Sequence, residues 1–519
     1  MQPVSVLEAA RKPQPAELLA AREVGPLGRL GGWTVDHVRT VAVAWVVAAV
    51  ALGAFAPRAE HALSGAGWEA SGSESVQARR LIQENFGGLS SQAFMVVVHS
   101  DTQSTGDPAF RQVLASVTAR LRASDAVASV VPPRPGATVS RDGHTAIVTA
   151  GSSGTPTEAV AAADELKREL AQLGSDGVSV SLTGASGMWS DFNEANKEAM
   201  LKSELISWPV TLAILVVAFG SLVAAGLPLL LTILGLVASA GLLWVLTHGF
   251  DISIWAMNFA LMFALALGID YALFVVHRFR GAYFGSRLPA REAVAVTMDT
   301  AGKAVLFSGL TVLISLSAVM LVPSPAFRSM ALGIMLSVVF VLLAALTLLP
   351  AVLAKLGPRV DALSLPWVHT GEHRSPAFAR WGERLWRRPH LYGAAATLVL
   401  VLLALPALGL KTGMPSIKVV PRDDPSRVGY EQVQQAFGAG SPGALQLVGP
   451  SADVARAAAV AARDAGVGRV LSPQPGDALA LAQAIPTSDP SDPAVGETIE
   501  RLRDTLPASV YVGGAVAEN

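Results

Sequence analysis

The feature that most constrains this chain is a succession of long apolar segments. A membrane-spanning helix needs about 20 predominantly apolar residues. Seven segments near that length lie at residues 40–56, 205–222, 226–247, 254–276, 304–322, 329–353 and 391–410. Hydrophobic residues make up 51% of the chain and charged residues only 15%, whereas soluble domains carry about 25% charged residues. The sequence therefore predicts a polytopic α-helical membrane protein.

Charge and cysteine content exclude several classes of function. The formal net charge is −1, which gives no reason to expect a nucleic-acid partner. The chain has no cysteine, so disulfides, thiolate metal sites and cysteine nucleophiles are all excluded. No residue pattern indicates a cofactor or a resident metal. The expected partners are membrane lipids and molecules that move through the membrane.

Two polar regions, residues 57–203 and 411–519, interrupt the apolar segments. In the first, the alternation of apolar residues predicts strands at 92–99, 126–131, 145–150 and 177–183 and helices at 107–124 and 155–173. This β-α-β-β-α-β order is the split ferredoxin-like pattern of α+β domains. The second region predicts strands at 443–449, 467–471 and 509–513 and helices at 451–465 and 494–505. It retraces much of the first.

Weak sequence matches between the two regions indicate an internal duplication. Gln83-Glu-Asn-Phe86 corresponds to Gln434-Gln-Ala-Phe437, and Val180-Ser-Leu-Thr-Gly-Ala185 corresponds to Val510-Tyr-Val-Gly-Gly-Ala515. Repeated halves are common in membrane transporters. We therefore expect two extracytoplasmic ferredoxin-like (porter-type) domains that pack side by side with the same strand order, the second of them incomplete.

Basic residues in the loops predict the orientation of the chain. They cluster after the fourth segment (Arg278, Arg280, Arg287, Arg291, Lys303) and after the sixth (Lys355, Arg359, Arg374, Arg380, Arg384, Arg387, Arg388). The positive-inside rule places these loops and the N-terminus in the cytoplasm. We expect a multi-pass protein of the bacterial inner membrane. The expected layout is a flexible cytoplasmic tail (1–37), a first helix (38–56), an outside domain (57–203), helices two to six (204–355), a basic cytoplasmic linker (356–390), a seventh helix (391–410) and a second outside domain (411–519).

One acidic residue lies deep in the fourth apolar segment. Asp270 is about 12 Å from Arg278 along a helix, near the middle of a hydrocarbon layer about 30 Å thick. An ionisable group at that depth costs about 2.5–3.5 kcal/mol on insertion scales, so it is usually retained for a function. Tyr271 beside it supplies a hydroxyl that can donate or accept a hydrogen bond.

These residues resemble a transporter family. Gly268-Ile-Asp270-Tyr271-Ala-Leu-Phe274 and the stretch Thr300–Thr311 are similar to the fourth and fifth helices of MMPL (mycobacterial membrane protein large) transporters, which belong to the resistance-nodulation-division superfamily. The order of one helix, a large outside domain and five clustered helices also resembles that family. The resemblance implies a secondary active transporter, not an enzyme, that exports lipids or other hydrophobic molecules with the proton gradient.

The resemblance also implies that Asp270 and Tyr271 form a proton relay facing an equivalent pair on a tenth helix. Ser308, Thr311 and Asn258 are candidates to line the same path, although such residues also bond their own backbone or neighbouring helices. The second pair is absent from this sequence. We therefore expect the partner pair to come from a missing second half, a partner chain or a second copy.

Rival interpretations fit less well. An intramembrane aspartyl protease needs two apposed carboxylates, and the apolar segments contain only Asp270. A seven-helix receptor or retinal protein would not carry the long insertion after its first helix. A non-transporting accessory protein or a sterol-sensing-like scaffold stays open as an alternative, because retention of Asp270 and Tyr271 favours transport and the absence of a second half favours a scaffold. No residue cluster specifies the substrate.

Overall fold

Long helices dominate the computed structural model, which describes residues 24–58, 63, 70, 72–250, 252–365, 376–409 and 416–518. Within those residues, seven helical stretches are long and apolar enough to cross a membrane: Val38–Arg58, Gly184–Phe219, Leu222–Leu246, Trp255–Gly285, Ala290–Val319, Pro325–Asp361 and Pro389–Gly409. Each contains most of one apolar segment predicted from the sequence. The prediction of a polytopic helical membrane protein is confirmed.

The α-helices and strands are numbered in chain order. The α-helices are α1 (Pro26–Asp36), α2 (Val38–Gly53), α3 (Glu74–Asn85), α4 (Pro108–Arg122), α5 (Pro156–Ala171), α6 (Gly184–Phe219), α7 (Leu222–Leu246), α8 (Trp255–Arg280), α9 (Ala290–Thr297), α10 (Lys303–Val319), α11 (Pro325–Leu343), α12 (Leu349–Leu356), α13 (Pro376–Arg387), α14 (Pro389–Ala404), α15 (Pro425–Phe437), α16 (Ser451–Ala461) and α17 (Pro493–Thr505). The strands are β1 (Phe94–His99), β2 (Val127–Val131), β3 (Thr145–Ser152), β4 (Ser179–Thr183), β5 (Leu445–Pro450), β6 (Val467–Pro475), β7 (Leu479–Pro486) and β8 (Tyr511–Gly513).

Small residues let the membrane helices approach closely. The backbone of α11 passes so near to α8 that a Cβ at Gly333 would collide with the carbonyl of Ala256. A Cβ at Gly241 of α7 would likewise collide with the backbone of Leu52, at the end of α2. Without a hydrophobic driving force in lipid, such contacts are a main source of helix association. Helices α7, α8 and α11 therefore form the packed centre of the membrane region.

Each polar region forms a four-stranded antiparallel sheet. The strand order is β2-β3-β1-β4 in the first sheet and β6-β7-β5-β8 in the second. The two orders match when β5 to β8 are aligned with β1 to β4, so the predicted repetition of strand order is confirmed. Strand β7 was not predicted, because its Ala-rich segment contains a single β-branched residue, Ile485, and such residues usually mark a strand.

The two sheets exchange helices. Helix α3 precedes the first sheet but packs on the second, where Ala78 and Ile82 join Val448 and Leu481 in one apolar cluster. Helix α15 precedes the second sheet but packs on the first, through Val433. Each sheet therefore depends on the other region of the chain for one layer of its core.

The expected flexible tail at residues 1–37 is wrong for residues 26–36. These residues form α1, which packs on the helices at the start of the fifth span through Gly28 and Gly31. Asp36 at the end of α1 accepts hydrogen bonds from Arg291 at 2.9 and 2.8 Å. Glycines allow this close approach, which hydropathy does not report. Residues 1–23 of the predicted tail lie outside the described residues.

Candidate functional site

Asp270 and Tyr271 lie on adjacent faces of α8. Gly268, Tyr271 and Val275 are buried against neighbouring helices, and they recur at the spacing of one helix face. Asp270 points to the other side, where its residue is exposed. A Cβ at Gly268 would collide with Thr232 of α7, so the packed face of α8 is tightly fitted. Helix packing on one side therefore leaves the carboxylate on the open side.

The Tyr271 side chain is buried, and no described group lies within hydrogen-bond geometry of its hydroxyl oxygen. The residue is only 3% exposed, and its hydroxyl oxygen has no hydrogen-bond partner among the described residues. The polar groups that act on it are Ser308 of α10 and the neighbouring Asp270. A buried polar atom without a partner costs about 1–3 kcal/mol. Ser308 is therefore the described side chain best placed to hydrogen-bond this hydroxyl after a small movement.

The structure places some of the other predicted site residues near Asp270 and Tyr271 and others far from them. Ser308 is exposed beside Tyr271 and Asp270, so α8 and α10 bring these three together. Thr311 lies on the same helix as Ser308, but its hydroxyl donates to the Phe307 carbonyl at 2.8 Å. Asn258 is half-buried near the start of α8, about 18 Å along the helix from Asp270. The structure therefore does not bring Asn258 to the Asp270 position.

A buried ion pair closes the basic end of the same helix, and the sequence did not reveal it. Arg280 donates to the carbonyl of Phe219 at 2.6 Å, and its Nε lies 2.8 Å from Oδ1 of Asp361. Both side chains of the pair are 9% exposed. The hydroxyl of Ser221 lies 2.8 Å from the carbonyl of Val360. These contacts join the ends of the second, fourth and sixth spans, so they fix the depth of α8.

Three π-helical turns interrupt the spans around the site, at Gly281–Gly285, Met298–Gly302 and Ala344–Leu348. Such turns are rare and often occur at functional sites. The second of them precedes α10, and Thr300 within it accepts a hydrogen bond from Arg278 at 3.0 Å. The third carries Thr347, which accepts from the Trp45 indole at 3.0 Å. Their backbone geometry has no clear sequence signal.

A charge cluster around the buried Lys167 and Asp191 links the sheets to the membrane region. Lys167 of α5 lies 2.8 Å from Asp191 and 2.7 Å from Glu194, and Asp191 also accepts the backbone N–H of Ser426 at 2.8 Å. Burial by itself would lower the pKa of Lys167, but hydrogen bonds to Asp191 and Glu194 outweigh it and raise the pKa. Burial raises the pKa of nearby Asp424, and the charge of Asp191 adds to this effect.

A cavity of about 130 Å³ lies between the two sheets. Met188 and Trp189 from the start of α6 line one side, and Ile417 and Val516 from the second region line another. The lining is amphipathic, because Glu518 also contributes. These residues are hundreds of positions apart, so no local motif could have identified the cavity. Among the described residues, no three His, Asp or Glu side chains converge as a metal site requires.

Comparisons with known proteins agree with this architecture. The model of the MMPL family matches residues 67–392. The membrane protein YdfJ of Bacillus subtilis is 28% identical over 94% of this chain and 68% of its own length. The mycolic acid-containing lipids exporter MmpL11 of Mycolicibacterium smegmatis is 29% identical over 88% of this chain and 50% of that protein. The heme uptake protein MmpL11 of Mycobacterium tuberculosis is 35% identical over 62% of this chain and 35% of that protein.

The chain thus spans about two thirds of one of these relatives and half or less of the other two. The family match begins in the first polar region, includes both Asp270 and Ser308, and continues to the start of the seventh span. It covers more than half of the chain, and its extent coincides with five of the clustered spans described above. This chain belongs to the MMPL family.

Proposed function

We propose that this chain forms part of a secondary active transporter, driven by the proton gradient, that exports lipids or other hydrophobic molecules across the bacterial inner membrane. Asp270 and Tyr271 are its proton relay, with Ser308 lining the path. The observation that carries the proposal is the exposed carboxylate of Asp270 beside a buried Tyr271 hydroxyl without a partner, both within a membrane span. The MMPL relatives named as a lipid exporter and a heme uptake protein support a hydrophobic substrate.

The physical basis of the proposed relay is the free energy needed to place a charged carboxylate in lipid. An aspartate that faces lipid in a membrane span is disfavoured by about 2.5–3.5 kcal/mol on insertion scales. A proton on the carboxyl removes that charge, so a relay at this position would alternate between a neutral and a charged form as its surroundings change. Tyr271 can donate to the ionised carboxylate or accept from the protonated form. Two states of the pair would thus follow the protonation of Asp270.

The exposure of Asp270 also argues for a covering partner. The open face of α8 and the face of α10 that bears Ser308 need polar contacts in place of lipid. A further set of helices supplies them, from the rest of a longer polypeptide, from a partner chain or from a second copy. The scaffold alternative predicts a passive cover without proton exchange.

The layout of the proposed transporter follows the loop charges. The N-terminus, α9 and the linker 356–390 lie in the cytoplasm, and the regions 57–203 and 411–519 lie outside as porter-type domains. Their ferredoxin-like assignment is supported by the matching strand orders and by the alternation of strands and helices. The cavity between the sheets then lies outside the membrane, where an exported molecule would leave the bilayer.

Replacement of Asp270 tests the relay. In the complete assembly expressed in its host, Asp270→Asn should reduce export of extractable surface lipids at least about tenfold, since an amide cannot exchange the proton. Asp270→Glu should restore part of the export. Surface and total lipids would be compared by mass spectrometry, with protein abundance measured in the same membranes.

The matched control is Glu292→Gln, which neutralises an exposed acid of α9 outside the proposed path. It should leave export unchanged. Full export by Asp270→Asn at normal abundance would refute the relay. Loss of export by both variants would point instead to a general effect of removing acidic charge.

A further inference from the structure

Helix α13 is a basic amphipathic helix, and most of its described side chains are exposed. Arg384 and Arg387 lie on one face, because residues three apart share a face of a helix. Trp381 and Leu385 share a second face by their spacing of four. Trp386 is adjacent and is 86% exposed. The helix therefore separates a cationic side from an aromatic and aliphatic side.

The connection to the membrane span places this helix at the bilayer surface. Helix α13 ends at Arg387, and α14, which opens the seventh candidate span, begins at Pro389. Only Arg388 separates them, and its extended φ of −138° breaks the helical path. At about 3.5 Å for one residue, the C-terminal end of α13 cannot leave the level at which α14 enters the lipid. Its apolar side can therefore reach the headgroup layer.

The balance of charge identifies the ligand class. Glu383 pairs with Arg387 at 2.7 Å, while Arg384 and Arg388 are exposed and have no acidic partner among the described residues. A helix with arginines on one face and tryptophan and leucine on the other binds in the interfacial plane of a membrane. Clusters of arginine beside a membrane helix attract anionic lipid headgroups.

We propose that α13 lies in the membrane interface and binds anionic phospholipid headgroups through Arg384 and Arg388, with Trp386 inserted among the acyl chains. The contact anchors the linker between the sixth and seventh spans to the membrane. It sets the depth of α14, whose residues make little contact with the rest of the described structure. The proposal does not depend on proton coupling, because it concerns only this helix and the lipid around it.

The absence of cysteine from the chain permits a clean test. Gly382→Cys places one thiol near the apolar side of α13, where it can carry an environment-sensitive NBD label. The full chain would be placed in nanodiscs of phosphatidylcholine alone or of phosphatidylcholine with 30% phosphatidylglycerol. Lipids brominated on their acyl chains would then quench the label if the helix lies in the interface.

We expect stronger quenching and slower amide exchange of residues 376–388 in the phosphatidylglycerol discs. Each basic residue near an anionic surface changes binding about fivefold. Arg384→Gln with Arg388→Gln should therefore remove the effect of phosphatidylglycerol, and Trp386→Ala should reduce quenching in both disc types. The control pair, Arg463→Gln with Arg469→Gln, removes two exposed arginines near the second sheet and should behave like the parent.

Three outcomes would overturn the proposal. The label could remain unquenched in both disc types, which would place α13 in water or against a protein partner. Quenching could be equal with and without phosphatidylglycerol, which would exclude anionic recognition. The double arginine variant could keep the full effect of phosphatidylglycerol, which would assign the recognition to other residues.

Discussion

At the scale of single residues, Lys167 shows how a buried charge can join parts of the molecule. It is 6% exposed, and its main partner Asp191 is 2% exposed. Asp191 belongs to α6, which continues into the membrane, and it also holds the backbone of Ser426 from the second region. One carboxylate therefore connects the first sheet, a membrane helix and the helix that the second region contributes.

Replacement of Lys167 by methionine should destabilise this junction. The methionine keeps most of the volume but leaves Asp191 buried without its cation, which typically costs about 3–5 kcal/mol. The measurement is the free energy of unfolding of the purified full chain in detergent. Arg168→Gln is the control, because Arg168 is 71% exposed and its ion-pair partner among the described residues is the half-exposed Asp164. Its cost should stay below about 1 kcal/mol. Equal losses in both variants would contradict a special role for the buried pair.

The same residues show what a sequence can and cannot predict. Asp270 could be identified because a single acid within an apolar segment is conspicuous. Lys167 could not, because Asp191 and Glu194 lie 24 and 27 positions away, and its local partner Asp164 does not distinguish it from an exposed lysine on an amphipathic helix. The unpartnered state of the Tyr271 hydroxyl is equally invisible, since it depends on the packing of α8 against other helices.

At the scale of elements, hydropathy predicted the spans well and their ends poorly. The sequence predicts that the outside domain ends at residue 203 and that a separate span covers residues 205–222. The structure has one continuous helix, α6, of 36 residues, with Pro209 inside it. Polar residues in the first half of α6 lower the mean hydropathy there, so hydropathy does not predict that the helix extends through them. This rigid element passes from the first sheet directly into the second span.

Close packing between α8 and α11 predicts that a Gly→Ala substitution lowers stability there, whereas the same substitution at an open position raises it. Gly333→Ala should destabilise the protein by about 1–3 kcal/mol, because the new methyl group meets the Ala256 carbonyl and the helices must separate. Gly226→Ala makes the same change on α7, where nothing lies within 4 Å of the new Cβ. It should stabilise by up to about 1 kcal/mol through helix propensity. Thermal unfolding of both variants in one detergent measures the difference, and two shifts of the same sign would contradict the close packing.

At the scale of the whole molecule, the exchange of helices makes the two sheet regions interdependent. The repeated sequences predicted two similar units with equal strand order. They could not predict the exchange, since α3 and α15 carry equivalent apolar faces and either helix fits either sheet by pattern alone. Separate expression of either region would therefore leave an apolar sheet face uncovered.

Engineered cysteines can test the exchange directly. A Cβ at Gly429 of α15 would lie 3.1 Å from the Cβ of Ser181 in β4, close to the 3.5–4.5 Å found across disulfides. Ser181→Cys with Gly429→Cys should therefore cross-link within one chain on mild oxidation, as detected by peptide mass spectrometry. The control is Ser181→Cys with Ala78→Cys. Ala78 occupies in α3 the position that corresponds to Gly429, but it packs on the second sheet. Cross-linking of the control pair without cross-linking of the first pair would show that each region keeps its own helix, and the interlocked arrangement would then be wrong.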